Sequence, residues 1–167
     1  MLYKNAVFNP DWLDKEDPRC RDLAKDHWWN HSQLVITDNP NKFDIDTFVS
    51  RLYCAPHAAL ELEYTADKWR FSNGVYRSRY HEVSVPMRKE KWFEWYKNTY
   101  WMGFSYDFNH YILIPGKVIL HYDIRRKYHV YNNTEKETFL MVPQYDPHTN
   151  PQPILHGVLK KHNIPIV

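Results

Sequence analysis

Leu113-Ile114-Pro115-Gly116-Lys117-Val118-Ile119-Leu120-His121-Tyr122-Asp123, followed at a distance by Leu155-His156-Gly157-Val158, is the stretch whose reading decides the fold. A Pro-Gly turn leads into apolar residues, and the pattern predicts a strand over 117–124. Residues two apart on a strand share a face, so Val118, Leu120 and Tyr122 look one way and Ile119, His121 and Asp123 the other. An imidazole and a carboxylate are then presented side by side. A second imidazole from a neighbouring strand, for which His156 is the candidate, completes the two-His-one-carboxylate set that holds iron(II) on one face and leaves positions open.

The order of these pieces resembles the iron(II)/2-oxoglutarate-dependent oxygenases, especially the aspartyl/asparaginyl β-hydroxylase-like branch. There a Pro-Gly turn, a strand with His-x-Asp, a basic stretch and a distal His-x-Val follow one another, and here they span residues 111–158. The resemblance implies iron(II) on His121, Asp123 and His156, with 2-oxoglutarate as co-substrate. It also implies oxidation of a C–H bond on a substrate that is a small molecule or a protein side chain. The family's cation for the far carboxylate of 2-oxoglutarate comes after the distal His, where this chain has Ile166-Val167. The anchor is therefore expected from the basic stretch, at Arg125, Arg126 or His129; an Arg fork matches a carboxylate best. The implied architecture is a compact double-stranded β-helix of the cupin or jelly-roll type.

Working outward, candidate strands lie at 108–114, 127–132 and 137–142, and alternation runs from Ala59 to Val85 through Leu60, Leu62, Tyr64, Trp69, Phe71 and Val75. Asn73-Gly74 in its middle is a strong hairpin signal. Helical spacing marks Arg21–Leu34, a short segment from Asp44 through Phe48, Val49 and Leu52, and Met87–Trp101. The last of these has Trp92, Trp95 or Tyr96, and Thr99 or Tyr100 on a face expected to pack as core. Residues 1–19, with two prolines and mixed charges, read as an irregular arm on a single domain spanning 1–167. Helices early and strands late predict an α+β fold: an antiparallel β-rich core with flanking helices.

Composition narrows the function. With 22 basic and 20 acidic residues, the net charge of +2 gives no general electrostatic grip on nucleic acid, although Arg77-Ser78-Arg79 and Arg125-Arg126-Lys127 sit among tyrosines. Nucleic acid is thus a possible partner but not the favoured one. Aromatics make up 17% of the chain, enough for a thick core or a stacking platform. Cys20 and Cys54 form neither a disulfide framework nor a Cys-x-x-Cys pair, and free thiols in the cytoplasm are expected. No apolar run approaches the roughly 18 residues of a membrane span. His27 and His31, four apart, share a helix face, but Trp28 stands where a zinc protease has its Glu. Glu61, Glu63 and Asp67 are near neighbours, yet no Lys follows at the spacing a metal-dependent nuclease core needs. The alternative to an oxygenase is a non-enzymatic binding or assembly protein, such as a viral or mobile-element component, which needs no metal.

Overall fold

The computed structural model describes residues 10–41, 44–64, 71–72, 75–76, 82–129, 136–144 and 154–159. The fold is α+β and rich in strand. Helix α1 (Pro10–Ser32) leads into β1 (Leu34–Asp38), β2 (Thr47–Arg51) and β3 (Ala58–Tyr64). Two short strands, β4 (Phe71–Ser72) and β5 (Val75–Tyr76), precede β6 (Glu82–Pro86). A 3₁₀ turn (Met87–Lys89) and α2 (Glu90–Trp95) then cross to β7 (Thr99–Phe104). β8 (His110–Pro115), α3 (Gly116–His121), β9 (Arg125–His129), β10 (Lys136–Pro143) and β11 (Leu155–Val158) complete the described chain.

The main sheet has the order β1-β2-β3-β7-β8-β11, antiparallel except for the central β3–β7 pair, which is parallel. A parallel pair requires a long crossover, and the segment from β4 through α2 supplies it. A second, antiparallel sheet, β6-β10-β9, lies over one face of the first. The faces follow from period-2 alternation. On β3, Leu60 and Leu62 join Ile36, Val49, Met102, Phe104 and Tyr111 against Cys20 and Ala24 of α1. Toward the second sheet, Trp101, Ile112 and Ile114 pack with Val83, Val85, Leu140 and Val142, and Phe93 of α2 and Ile119 of α3 close that layer. From Ala59 to Leu62, β3 is buried on both faces and has no solvent side to which a polar residue could turn. Gly103 is required there: a β-carbon would sit 2.6 Å from the Trp101 ring, which lies across it.

Several elements differ from the sequence reading. Residues 117–124 are not a strand, because 116–121 form α3. A run of consecutive apolar residues fits either period, and packing decides: Gly116 and Ile119, one turn apart, are both buried, Gly116 against Phe93 and Thr99. The expected irregular arm is helical from Pro10, a residue suited to a first helical position, and α1 continues through Pro18; residues 1–9 lie outside those described. The expected short helix after Asp44 is β2, whose Thr47, Phe48 and Val49 pair with β3. The expected helix to Trp101 stops at Trp95, and Thr99–Phe104 is a strand. Trp92 is buried, but Trp95 is 68% exposed and is not core. The residues flanking the Asn-Gly signal pair as antiparallel β4 and β5, Ser72 opposite Val75, while Asn73 and Gly74 lie outside the described residues.

Candidate functional site

The oxygenase pattern disperses locally. His121 is the last residue of α3, exposed, with its ring edge-on to Tyr122 at 5.2 Å. Asp123 lies beyond the helix end, 87% exposed at its side chain, and accepts a hydrogen bond from Arg125 Nε at 3.1 Å. Because the segment is helical up to 121, the two no longer share a strand face. His156 stands on β11 opposite Ile112, and His129 on β9 opposite Lys136; the side chains of both lie outside those described. Arg125 also pairs with Glu90 at 3.0 Å, and Arg126 donates twice to Glu82, at 2.9 and 3.3 Å. His27 and His31 stack at 5.5 Å, and His27 Nε2 bonds the Tyr111 hydroxyl at 3.0 Å. Burial, with His31 assisting, holds His27 below the usual imidazole range. Cys20 is buried and Cys54 exposed, and neither is in a disulfide. Among the described residues, no three His, Cys, Asp or Glu side chains stand in a group that could hold a metal ion as they are.

A different constellation occupies the middle of the main sheet. The odd residues of β3 face the second sheet, which buries Glu61 to 1% exposure beside Trp101, its ladder neighbour on β7. Here β2 and β3 part. Their ladder runs from Val49–Ala58 to Thr47–Leu60 and stops. Asp46 bridges the gap with its side chain, Oδ2 accepting from Leu62 N at 2.9 Å, while its own N–H donates to Glu61 Oε2 at 3.3 Å. From the α1 side Arg21 donates to the Asp46 carbonyl at 2.7 Å and to Oδ1 at 2.9 Å.

The 3₁₀ turn delivers two cations from above. Lys89 places its ammonium on Glu61 Oε1, and Arg88 pairs with Glu137 and lies 3.6 Å from Glu63 Oε1. Glu63 Oε2 and Trp101 Nε1 are both buried without a hydrogen-bond partner among the described residues, and the indole is near enough to act on the Glu63 carboxyl. Exposure grades outward, from Glu61 through Lys89 at 20% and Glu63 at 24% to Arg88 at 55%. The cluster therefore opens to the surface on the Arg88 side.

Its electrostatics are dominated by burial. Burial, with Asp46 and Glu63 adding to it and Lys89 opposing, pushes the Glu61 carboxyl up to about 8. Burial raises Glu63 as well. Lys89 is raised too: burial disfavours its charge, but Glu61, Glu63 and Asp46 outweigh burial. Glu61, Glu63 and Lys89 each hold their proton more tightly than in water, as expected when two carboxyl groups share one largely buried ammonium. Glu61 and Glu63 are visible in the sequence, but their Lys is not, because it comes from a turn 28 residues on rather than from the strand. Asp67 lies outside the described residues.

Comparison with protein-family models, with curated proteins and with solved structures finds no match. By its own geometry this is an α+β protein with a buried carboxylate–lysine cluster at the centre of a mixed sheet.

Proposed function

We propose that the chain is a divalent-cation-dependent phosphodiesterase, with Glu61 and Glu63 as the cation-binding carboxylates once Lys89 turns aside, and Lys89 as the positioning cation. The observation that carries this reading is the pair of carboxyl groups, Glu61 buried and Glu63 half-buried, held on one face of β3 beside the split between β2 and β3. Burying such groups is costly, and hydrophobic residues in their place would often be neutral or stabilising. A bound Mg²⁺ or Mn²⁺ would polarise a phosphoryl oxygen and lower the pKa of its water. In the described structure the Lys89 ammonium occupies the Glu61 carboxylate, so cation binding requires Lys89 to turn aside. Released, its ammonium would supply positive charge to a phosphoryl oxygen. Arg88, at the exposed mouth, suits a phosphate through its planar donor fork. None of the described helices is long and apolar enough to cross a membrane, and a cytoplasmic location belongs to the proposal.

The test is hydrolysis of bis-p-nitrophenyl phosphate and of an oligonucleotide with Mg²⁺ or Mn²⁺, before and after chelation. Glu61→Gln and Glu63→Gln should each lower the rate about 100-fold or more, while His121→Ala and Asp123→Ala leave it unchanged. Absence of cation-dependent hydrolysis in the unmodified protein rejects the reading and leaves the cluster a structural ion pair, as the non-enzymatic alternative requires. The iron(II)/2-oxoglutarate reading, with its double-stranded β-helix, rests on the pattern of His121, Asp123 and His156. Its own test is anaerobic titration of iron-loaded protein with 2-oxoglutarate, followed by the visible charge-transfer band; the parallel β3–β7 pair and helix α3 do not favour it.

A further inference from the structure

The β2–β3 connection is exposed at every residue from Arg51 to His57, and its tip is Tyr53, 98% exposed. Tyr53 also has φ = 61°, a left-handed backbone conformation that is unfavourable for a bulky side chain. A strained, solvated aromatic contributes nothing to the fold, and such outliers collect where a residue is presented for binding. The loop is not isolated. Asn98, between α2 and β7, donates from Nδ2 to the His57 carbonyl at 3.1 Å and accepts from Ala59 N at 2.8 Å. This joins the loop to the C-terminal end of α2, where Trp95 is exposed beside the Lys91 ammonium, 6.0 Å from its ring. Residues 51–57 and 91–98 together carry Arg51, Lys91 and Lys97 against Glu94, and Asp44, which accepts from the Tyr96 hydroxyl at 2.7 Å, adds a second carboxylate at this end.

Two exposed aromatic residues on segments joined through Asn98, with Arg51, Lys91 and Lys97 on the same segments, offer what an unpaired polynucleotide needs: faces for bases and charge for the backbone. The end lies close to the carboxylate cluster. Ala59, packed under Trp92 of α2, precedes Glu61 by one step on the same face of β3, about 7 Å along the strand. We infer that this end, through Tyr53 and Trp95, binds single-stranded nucleic acid by base stacking. The inference names the substrate class of the proposed phosphodiesterase and rests on that reading for the chemistry, though not for the binding.

The test is fluorescence anisotropy with a labelled single-stranded 20-mer in EDTA, where no cation-dependent cleavage can occur. Tyr53→Ala and Trp95→Ala should each weaken binding about 5- to 10-fold, and Tyr53→Phe and Trp95→Phe should retain it. Tyr53→Gly should raise the melting temperature while weakening binding, because it removes the strain and the ring together. Failure of the unmodified protein to bind, equal affinity in the alanine variants, or equal affinity for a duplex of the same sequence overturns the inference. So does self-association through this end without oligonucleotide binding. If binding behaves as expected but bis-p-nitrophenyl phosphate is not hydrolysed with Mg²⁺ or Mn²⁺, the phosphodiesterase reading fails and the binding surface stands.

Discussion

Two segments of this chain carry alternating chemistry in the sequence, and the fold treats them oppositely. Glu61 and Glu63 lie on a central strand covered on both sides, where Glu61 has almost no contact with water. His121 and Asp123 lie at and beyond the end of a short surface helix, exposed, and the partner of Asp123 is Arg125 two residues away. The difference shows where a charged pair is informative. An exposed ion pair contributes about 0–1 kcal/mol and is easily acquired, whereas a buried one is retained against a desolvation penalty of several kcal/mol per ion.

The largest expected effect probes the buried member. Lys89→Met should destabilise the fold by about 3–5 kcal/mol, because it leaves an uncompensated carboxyl group in the interior. Combining it with Glu61→Gln should recover much of that loss; urea denaturation of the two single variants and the double variant measures the coupling. If Lys89→Met unfolds at the same urea concentration as the parent, the contrast between the segments collapses.

The same pair sets a pH dependence. Glu61 is raised from 4.5 to about 8, so its contribution is fully present below about pH 4.5, where both the folded and the unfolded carboxyl are protonated. Above that the unfolded chain releases its proton first, and stability declines as pH rises toward 8. Denaturation midpoints should therefore fall between pH 5 and 8, less steeply in Glu61→Gln. Added Mg²⁺ should flatten the slope if the carboxylates bind it. The raised Lys89 acts in a separate window: its stabilisation is fully present below 10.5 and is lost as pH rises from there through its raised folded value.

Next in size is Ile119, fully buried in α3. Ile119→Ala should cost about 2–5 kcal/mol, while the neighbouring His121→Ala should leave the midpoint almost unmoved. A strand would put both on one face, so equal effects at 119 and 121 would contradict the helix. The smallest expected effect is at Asp123: Asp123→Ala should change stability by less than about 1 kcal/mol. A larger loss would mean that the segment after α3 is more tightly held than its exposure indicates.

Much of the fold was legible. The alternation through Leu60, Leu62 and Tyr64 gave β3, and the strands near 108–114, 127–132 and 137–142 correspond to β8, β9 and β10. Less legible were segments in which local pattern is compatible with two periods. Val118-Ile119-Leu120 reads as strand or helix until Phe93 and Ile114 pack on it. The Trp92–Trp101 aromatics read as one helical stripe, although Trp92 faces the core from α2, Trp95 faces water and Trp101 belongs to β7.

The candidate site was half visible. Glu61 and Glu63 stand two apart in an apolar strand, and that spacing alone placed them on one face. Their burial came from a second sheet that nothing local announces. Lys89 and Asp46 reached them only because a 3₁₀ turn and the end of β2 converge there from 28 residues after and 15 before Glu61. By itself the sequence determined which residues alternate, where turns fall and that the chain is α+β, since these depend on neighbours within a few positions. The tertiary structure alone decided which face was covered, which carboxylates lost their water and which cation met them, because burial and ion pairing depend on segments brought together across the chain.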